Sequence, residues 1–150
     1  RIVHYSSFFL PFDALYNWKH LYGPAGLLQY QFVVPTEHAQ SCIREVLLSI
    51  KKAKITSYLI VLKKMGFNST IAAPTDFPMP GYSLAIDFKQ KPATRALLNV
   101  LDNIVIEAQG RVYLTKDARL PAEAYRQMYP KVVEIPGRFR SLQSIRIYDL

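Results

Sequence analysis

The chain has 150 residues, half of them hydrophobic, with 10 Tyr and 8 Phe. That suits one compact domain with a single core and excludes a disordered chain. Nineteen basic residues against 11 acidic give a net charge of +8, which favours anionic partners such as nucleic acid, acidic lipid, phosphorylated sugars or a pyrophosphate cofactor.

Residues 1–26 are aromatic and irregular. Asp13 is a candidate cap for a short helix over 14–21, with Gly23 and Pro24 ending it. Phe8, Phe9, Phe12, Tyr16 and Trp18 carry much apolar area there, so the segment is expected to dock on another surface. Residues 27–34 alternate: Leu28, Tyr30, Phe32 and Val34 share one face, and Leu27, Gln29, Gln31 and Val33 the other. This predicts a strand that Pro35 stops. Thr36 is the expected N-cap of a helix whose stripe is Ala39, Cys42, Ile43, Val46, Leu47 and Ile50. Cys42 lies in that stripe and reads as a buried small hydrophobe.

A second strand is expected over 57–63, a loop over 66–81 and a third strand over 82–88, with Ser83, Ala85 and Asp87 on its polar face. Next come a helix over 92–108 with Gly110 as its C-terminal stop, a fourth strand over 111–115, and a short helix from Pro121 to about Met128. The tail over 131–150 is basic and poorly periodic. The order is β-α-β-β-α-β, an α+β, ferredoxin-like antiparallel sheet with both helices on one face, plus N- and C-terminal extensions. The opposite face carries Gln29, Gln31, Ser83, Ala85 and Asp87 and has no helix of its own, so it can be wet or can receive a ligand or another domain.

The one cysteine excludes an intrachain disulfide, and with it we expect a reducing, cytoplasmic location. His4, His20 and His38 lack ligand spacing, so no metal is expected. No apolar run, residues 58–62 included, is long enough to cross a bilayer, so no transmembrane segment is expected. The start at Arg1 fits processing or a fragment.

Three strings carry a resemblance: YGPAGLLQYQFVVP (22–35), PMPGYSLAIDF (78–88) and GRVYLTKDARLPAEAYRQMYP (110–130). Together they resemble the C-terminal, substrate-covering domain of FAD-linked oxidases of the vanillyl-alcohol-oxidase type. Within that group they look most like the decaprenylphosphoryl-β-D-ribose 2′-oxidase-like proteins. The resemblance implies a cap domain over 27–130, FAD as cofactor and oxidation of a sugar hydroxyl by hydride transfer to flavin. It also implies partners: an FAD-binding N-terminal domain of the same parent protein, a sugar or sugar-phosphate substrate and a separate reductase. The chain has no glycine-rich phosphate cradle before Tyr22, so we expect it to be inactive alone.

By the same resemblance, Lys116 in LTKDAR and Tyr113 sit near flavin and substrate and are the candidate catalytic and cofactor-binding residues. Gln29 and Gln31 in LLQYQF and Lys63 in VLKKMG would bind substrate. Ser83 and Ala85 stand where the sugar-lipid oxidases carry asparagine and cysteine, which changes the shape of that pocket. The residues by themselves also allow plainer roles: Lys116 paired with Asp117, Tyr113 packed on a neighbour, Gln29 and Gln31 on a solvated face, and Lys63 with Lys64 in a basic turn. Asp117 and Arg119 read as structural ion-pair partners. Strict alternation puts Tyr113 and Lys116 on opposite faces unless the strand ends or bulges before Lys116. The tail over 136–150 departs from the family's usual ending.

Two other readings compete. A ferredoxin-like nucleic-acid-binding module suits the charge and the aromatics, but the rings of strands one and three share parity with the core aliphatics, so no nucleic acid is expected as partner. A purely structural contact domain would leave turnover independent of Lys116.

Overall fold

The computed structural model describes residues 4, 5, 17–66, 75–117, 119–130, 142, 145 and 146. A 3-10 turn, Trp18–Tyr22, leads into strand β1 (Leu27–Pro35), helix α1 (Thr36–Lys52), strand β2 (Ser57–Met65) and strand β3 (Gly81–Lys89). Helix α2 (Pro92–Glu107), strand β4 (Arg111–Val112), a second 3-10 turn (Leu114–Lys116) and helix α3 (Ala122–Met128) follow. The four strands lie in the order β2-β3-β1-β4, and every pairing is antiparallel. The expected ferredoxin-like arrangement is therefore what the chain adopts.

Period-two alternation in the strands and the 3.6-residue stripe in the helices meet at one core. Leu28, Tyr30, Phe32 and Val34 of β1 and Leu84, Ile86 and Phe88 of β3 pack in one cluster with Ala39, Cys42, Val46 and Ile50 of α1 and the stripe of α2, whereas Leu47, expected in the α1 stripe, lies on the flank of the helix at 40 % exposure. Burying each such side chain contributes about 2 kcal/mol, so this shared face fixes the register of the sheet. Cys42 is in the cluster, as expected, with burial raising its thiol pKa to about 11.

Several local expectations are corrected. Thr36 is already helical; Pro35 holds the cap position and no side chain caps the helix. Glu37 in the first turn and Lys51 and Lys52 in the last complement the helix dipole instead. Pro121 likewise sits at the cap, one residue before α3. At the end of α2, Gln109, not Gly110, takes the left-handed conformation, with φ 55°. The Gln109 N–H donates to the Ile106 carbonyl (2.9 Å) and the Gly110 N–H to the Val105 carbonyl (2.8 Å), a Schellman closure. Glycine is needed at 110 for close approach, since a Cβ there would meet the Val33 carbonyl oxygen at 2.6 Å.

The fourth strand is shorter than its sequence suggests. The Tyr113 N–H still donates to the Gln31 carbonyl (2.7 Å), but the chain then turns, and the Lys116 N–H donates back to Tyr113 (3.0 Å). The Val112 N–H meets Met128 Sδ (3.4 Å), and the Val112 carbonyl accepts from the Tyr129 hydroxyl (2.6 Å). The residues at the end of α3 thus saturate this edge where a longer strand would need a neighbour.

In the N-terminal region the described residues include the 3-10 turn Trp18–Tyr22, ended by Gly23 at φ 79°. The expected cap at Asp13, the docking residues Phe8, Phe9, Phe12 and Tyr16, and residues 131–141 of the tail lie outside the described residues. Among the described residues, no helix is long and apolar enough to cross a membrane.

Candidate functional site

Strand alternation turns Gln29, Gln31 and Val33 of β1 away from the helices. The β1–β3 register sets Gln29 opposite Asp87, Gln31 opposite Ala85 and Val33 opposite Ser83. On β2, Val61 pairs with Ala85 and Lys63 with Ser83. On the other side of β1, Arg111 pairs with Val33 and the Tyr113 backbone bonds to Gln31. One face therefore carries, from edge to edge, Lys63, then Ser83 and Ala85, then Gln29 and Gln31, then Tyr113. Three strand spacings give this strip a width of about 14 Å, enough for a sugar ring and its neighbours. Six of the seven expected site residues share it.

Lys116 lies at the end of the 3-10 turn Leu114–Lys116, beyond the strip's β4 side. Because β4 ends at Val112, strand alternation no longer sends Lys116 away from Tyr113. The possible Lys116–Asp117 pair is not the one found: Asp117 pairs with Arg146 at 2.5 Å, and Lys116 makes no salt bridge among the described residues. Arg119 pairs with Asp102 at 2.6 Å, and its backbone N–H donates to Asp117 Oδ1 (2.9 Å). Both residues are structural, as expected, but with different ion-pair partners.

The polar face is less wet than its composition suggests. Ser83 and Asp87 are buried. Gln29 Nε2 donates to Asp87 Oδ1 at 2.7 Å, and the Tyr22 hydroxyl donates to Asp87 Oδ2 at 3.3 Å. Burial, and then the Asp87 carboxylate, raise the Tyr22 pKa, so its hydroxyl keeps its proton and stays a donor. Gln31 Nε2 donates to Ser83 Oγ at 3.0 Å. Each amide thus has its N–H₂ end fixed by a neighbour and its carbonyl end oriented by that bond. Two lysines flank the face, Lys63 exposed and Lys116 half-buried.

Sequence reasoning missed three contributors. Asp87 was legible only as a polar-face residue; its role in holding Gln29 rests on Tyr22, 65 residues away. Val61 shares its face with Lys63 and pairs with Ala85, a parity readable in the strand. Phe77 comes from the loop before β3 and stacks on Tyr113 with ring centroids 4.6 Å apart; no local pattern announces it. Tyr30, Phe32 and Phe88 are buried against the helices, so these strands offer no base-stacking rings on the open face.

For a flavin, the fit is one-sided. A half-buried cation and a tyrosine beside two oriented amides suit the polar edge of an isoalloxazine ring. A pyrophosphate needs a glycine turn at a helix N-terminus, whereas α1 follows Pro35, α2 follows Lys91 and opens on Pro92, and α3 follows Pro121. The described residues could face the ring and the substrate but do not cradle the phosphates.

No family model matches the chain. Over 134 residues, 89 % of its length, the chain is 37 % identical to decaprenylphosphoryl-beta-D-ribose oxidase of Mycolicibacterium smegmatis. The match spans 28 % of that oxidase's own length. The resemblance read from the three strings is borne out: the chain is similar to one part of an oxidase.

Proposed function

We propose that residues 27–130 form the substrate-side cap of an FAD-dependent oxidoreductase that oxidises a sugar hydroxyl. In this reading the FAD-binding domain is a separate part of the same parent protein, and the isolated chain is inactive. The observation that carries the reading is the strip of Gln29, Gln31, Lys63, Ser83, Ala85 and Tyr113 on one sheet face, in a chain 37 % identical to a sugar-lipid oxidase.

Gln29 and Gln31 hold substrate hydroxyls through their oriented amides. Lys63 attracts a phosphate or a sugar oxygen at the β2 side. Ser83 and Ala85 leave the floor of the pocket low, because neither side chain reaches far above the sheet. Tyr113, backed by Phe77, borders the reacting end. FAD, when bound, would supply the acceptor for the hydride of the carbinol carbon, while a base other than these residues takes the hydroxyl proton. Lys116 would hold positive charge beside a bound ring and so favour its reduction. A separate reductase would be a further partner of the parent protein.

Two measurements test this. The purified chain is expected to lose FAD on gel filtration and to oxidise no sugar; stoichiometric flavin with turnover would overturn the cap reading. In the parent protein with its flavin domain, Lys116→Ala is expected to lower kcat by about 100-fold with the melting temperature unchanged. Unaltered turnover would identify a contact domain instead.

A further inference from the structure

We infer that the outer edge of β2 is a docking site for an extended segment of another polypeptide, one that alternates apolar with acidic residues and adds a fifth strand to the sheet. The two edges of the sheet are finished differently. Met128 and Tyr129 take up the backbone groups of Val112 on β4. On β2, the last strand at the opposite end of the order, no described strand pairs with the outer side. Unpaired strand edges recruit strands unless they are blunted. Among the described residues, β2 is blunted at its ends alone, by the bulge between Ser57 and Ile60 and by Lys63 and Lys64.

The middle of the strand is apolar and open: Ile60 is 47 % exposed and Leu62 55 %. Beside this face, helix α1 leaves Leu47 at 40 % and Leu48 at 54 % exposure. Between them lies a groove of about 700 Å³, lined by Ile43, Leu47 and Leu48 of α1 and by Leu62 and Tyr82 of the sheet. A strand added about 4.8 Å beyond β2 would lay every second side chain over this groove, on the face that Ile60 and Leu62 already share. One added strand would then pair with the open edge and border the groove.

Charge selects the occupant. The charged residues lining the groove among those described are Arg44 and Lys51, both cationic, and Lys63 and Lys64 add two more exposed cations on the strand. Lys63, paired with Ser83, faces the side away from the groove, where alternation puts the acidic residues, and complements them there. A second copy of the chain would instead bring +8 against +8 and lysines to the same edge. A docked helix would leave the β2 backbone groups unpaired. The site is independent of the flavin reading, since its test measures peptide binding alone.

The test uses the full chain and a fluorescein-labelled peptide of about eight residues alternating Val or Ile with Asp, followed by fluorescence anisotropy. Saturable binding is expected. It should weaken by about 10-fold or more when Lys replaces Asp in the peptide, when the peptide backbone is N-methylated, and in Leu62→Lys and Leu48→Lys. Both variants change exposed side chains, and their folding is checked by thermal melting. The proposal is overturned by no saturable binding up to about 1 mM, or by equal binding of the lysine or N-methylated peptide. It is also overturned if light scattering finds a dimer of the chain that Leu62→Lys dissociates. Binding to phosphatidylserine vesicles without peptide binding would assign the groove to a membrane and reject a strand.

Discussion

Single side chains in this molecule are defined by what surrounds them more than by their type. Cys42 could have been a reactive thiol, yet it is 3 % exposed, and burial raises its pKa from 9.0 to about 11. The unfolded thiol ionises first, so the stability due to keeping it neutral is complete below about pH 9 and is lost as pH rises through about 11. The expected loss over that window is at most about 3 kcal/mol. Urea unfolding should therefore fall off more steeply between these pH values in the native chain than in Cys42→Ala; parallel slopes would place the thiol in contact with water. On the open face, Asp87 was legible as polar but not as buried, because nothing in GYSLAIDF indicates that Tyr22 covers it.

The elements show where local pattern suffices and where it does not. Strands β1 and β3 follow their alternation to within a residue at each end; the α2 stripe enters the core as read, and the α1 stripe does so except at Leu47, which stays 40 % exposed. Element ends fare worse, since caps depend on backbone geometry that several residue types can adopt. Gly110 was read as the conformational stop of α2, but Gln109 takes the left-handed turn. Gly110 serves instead to let the turn pass against β1. A Cβ at 110 would lie 2.6 Å from the Val33 carbonyl oxygen and from Val34 Cγ1. Gly110→Ala should cost about 2–3 kcal/mol by overpacking, seen as a lower melting temperature, whereas Gln109→Gly should be neutral or slightly stabilising. Equal tolerance at both positions would show that the turn can move off the sheet.

Across the whole molecule, one polar cluster ties three parts together. Asp102 of α2 accepts from the Tyr30 hydroxyl of β1 (3.0 Å) and from Arg119, which precedes α3 (2.6 Å). Burial raises the Asp102 pKa, and Arg119 opposes that rise. Asp102→Asn would strand a guanidinium that is 9 % exposed, at an expected cost of about 3–5 kcal/mol; Asp102→Leu with Arg119→Met should cost much less. Calorimetric melting of both variants checks this, and similar losses in each would argue against an unpaired charge as the cause. Consecutive residues determined the elements, their order, the buried rows of the sheet and the face that carries Gln29, Gln31, Ser83 and Ala85, because periodicity is a property of neighbours along the chain. Distant segments decided the rest: the burial of Asp87 under Tyr22, the backing of Tyr113 by Phe77, the pairing of Arg119 with Asp102, and a β4 edge closed by Met128 and Tyr129 while no described strand pairs with the outer side of β2. These rest on contacts between residues far apart in sequence, which no local spacing records.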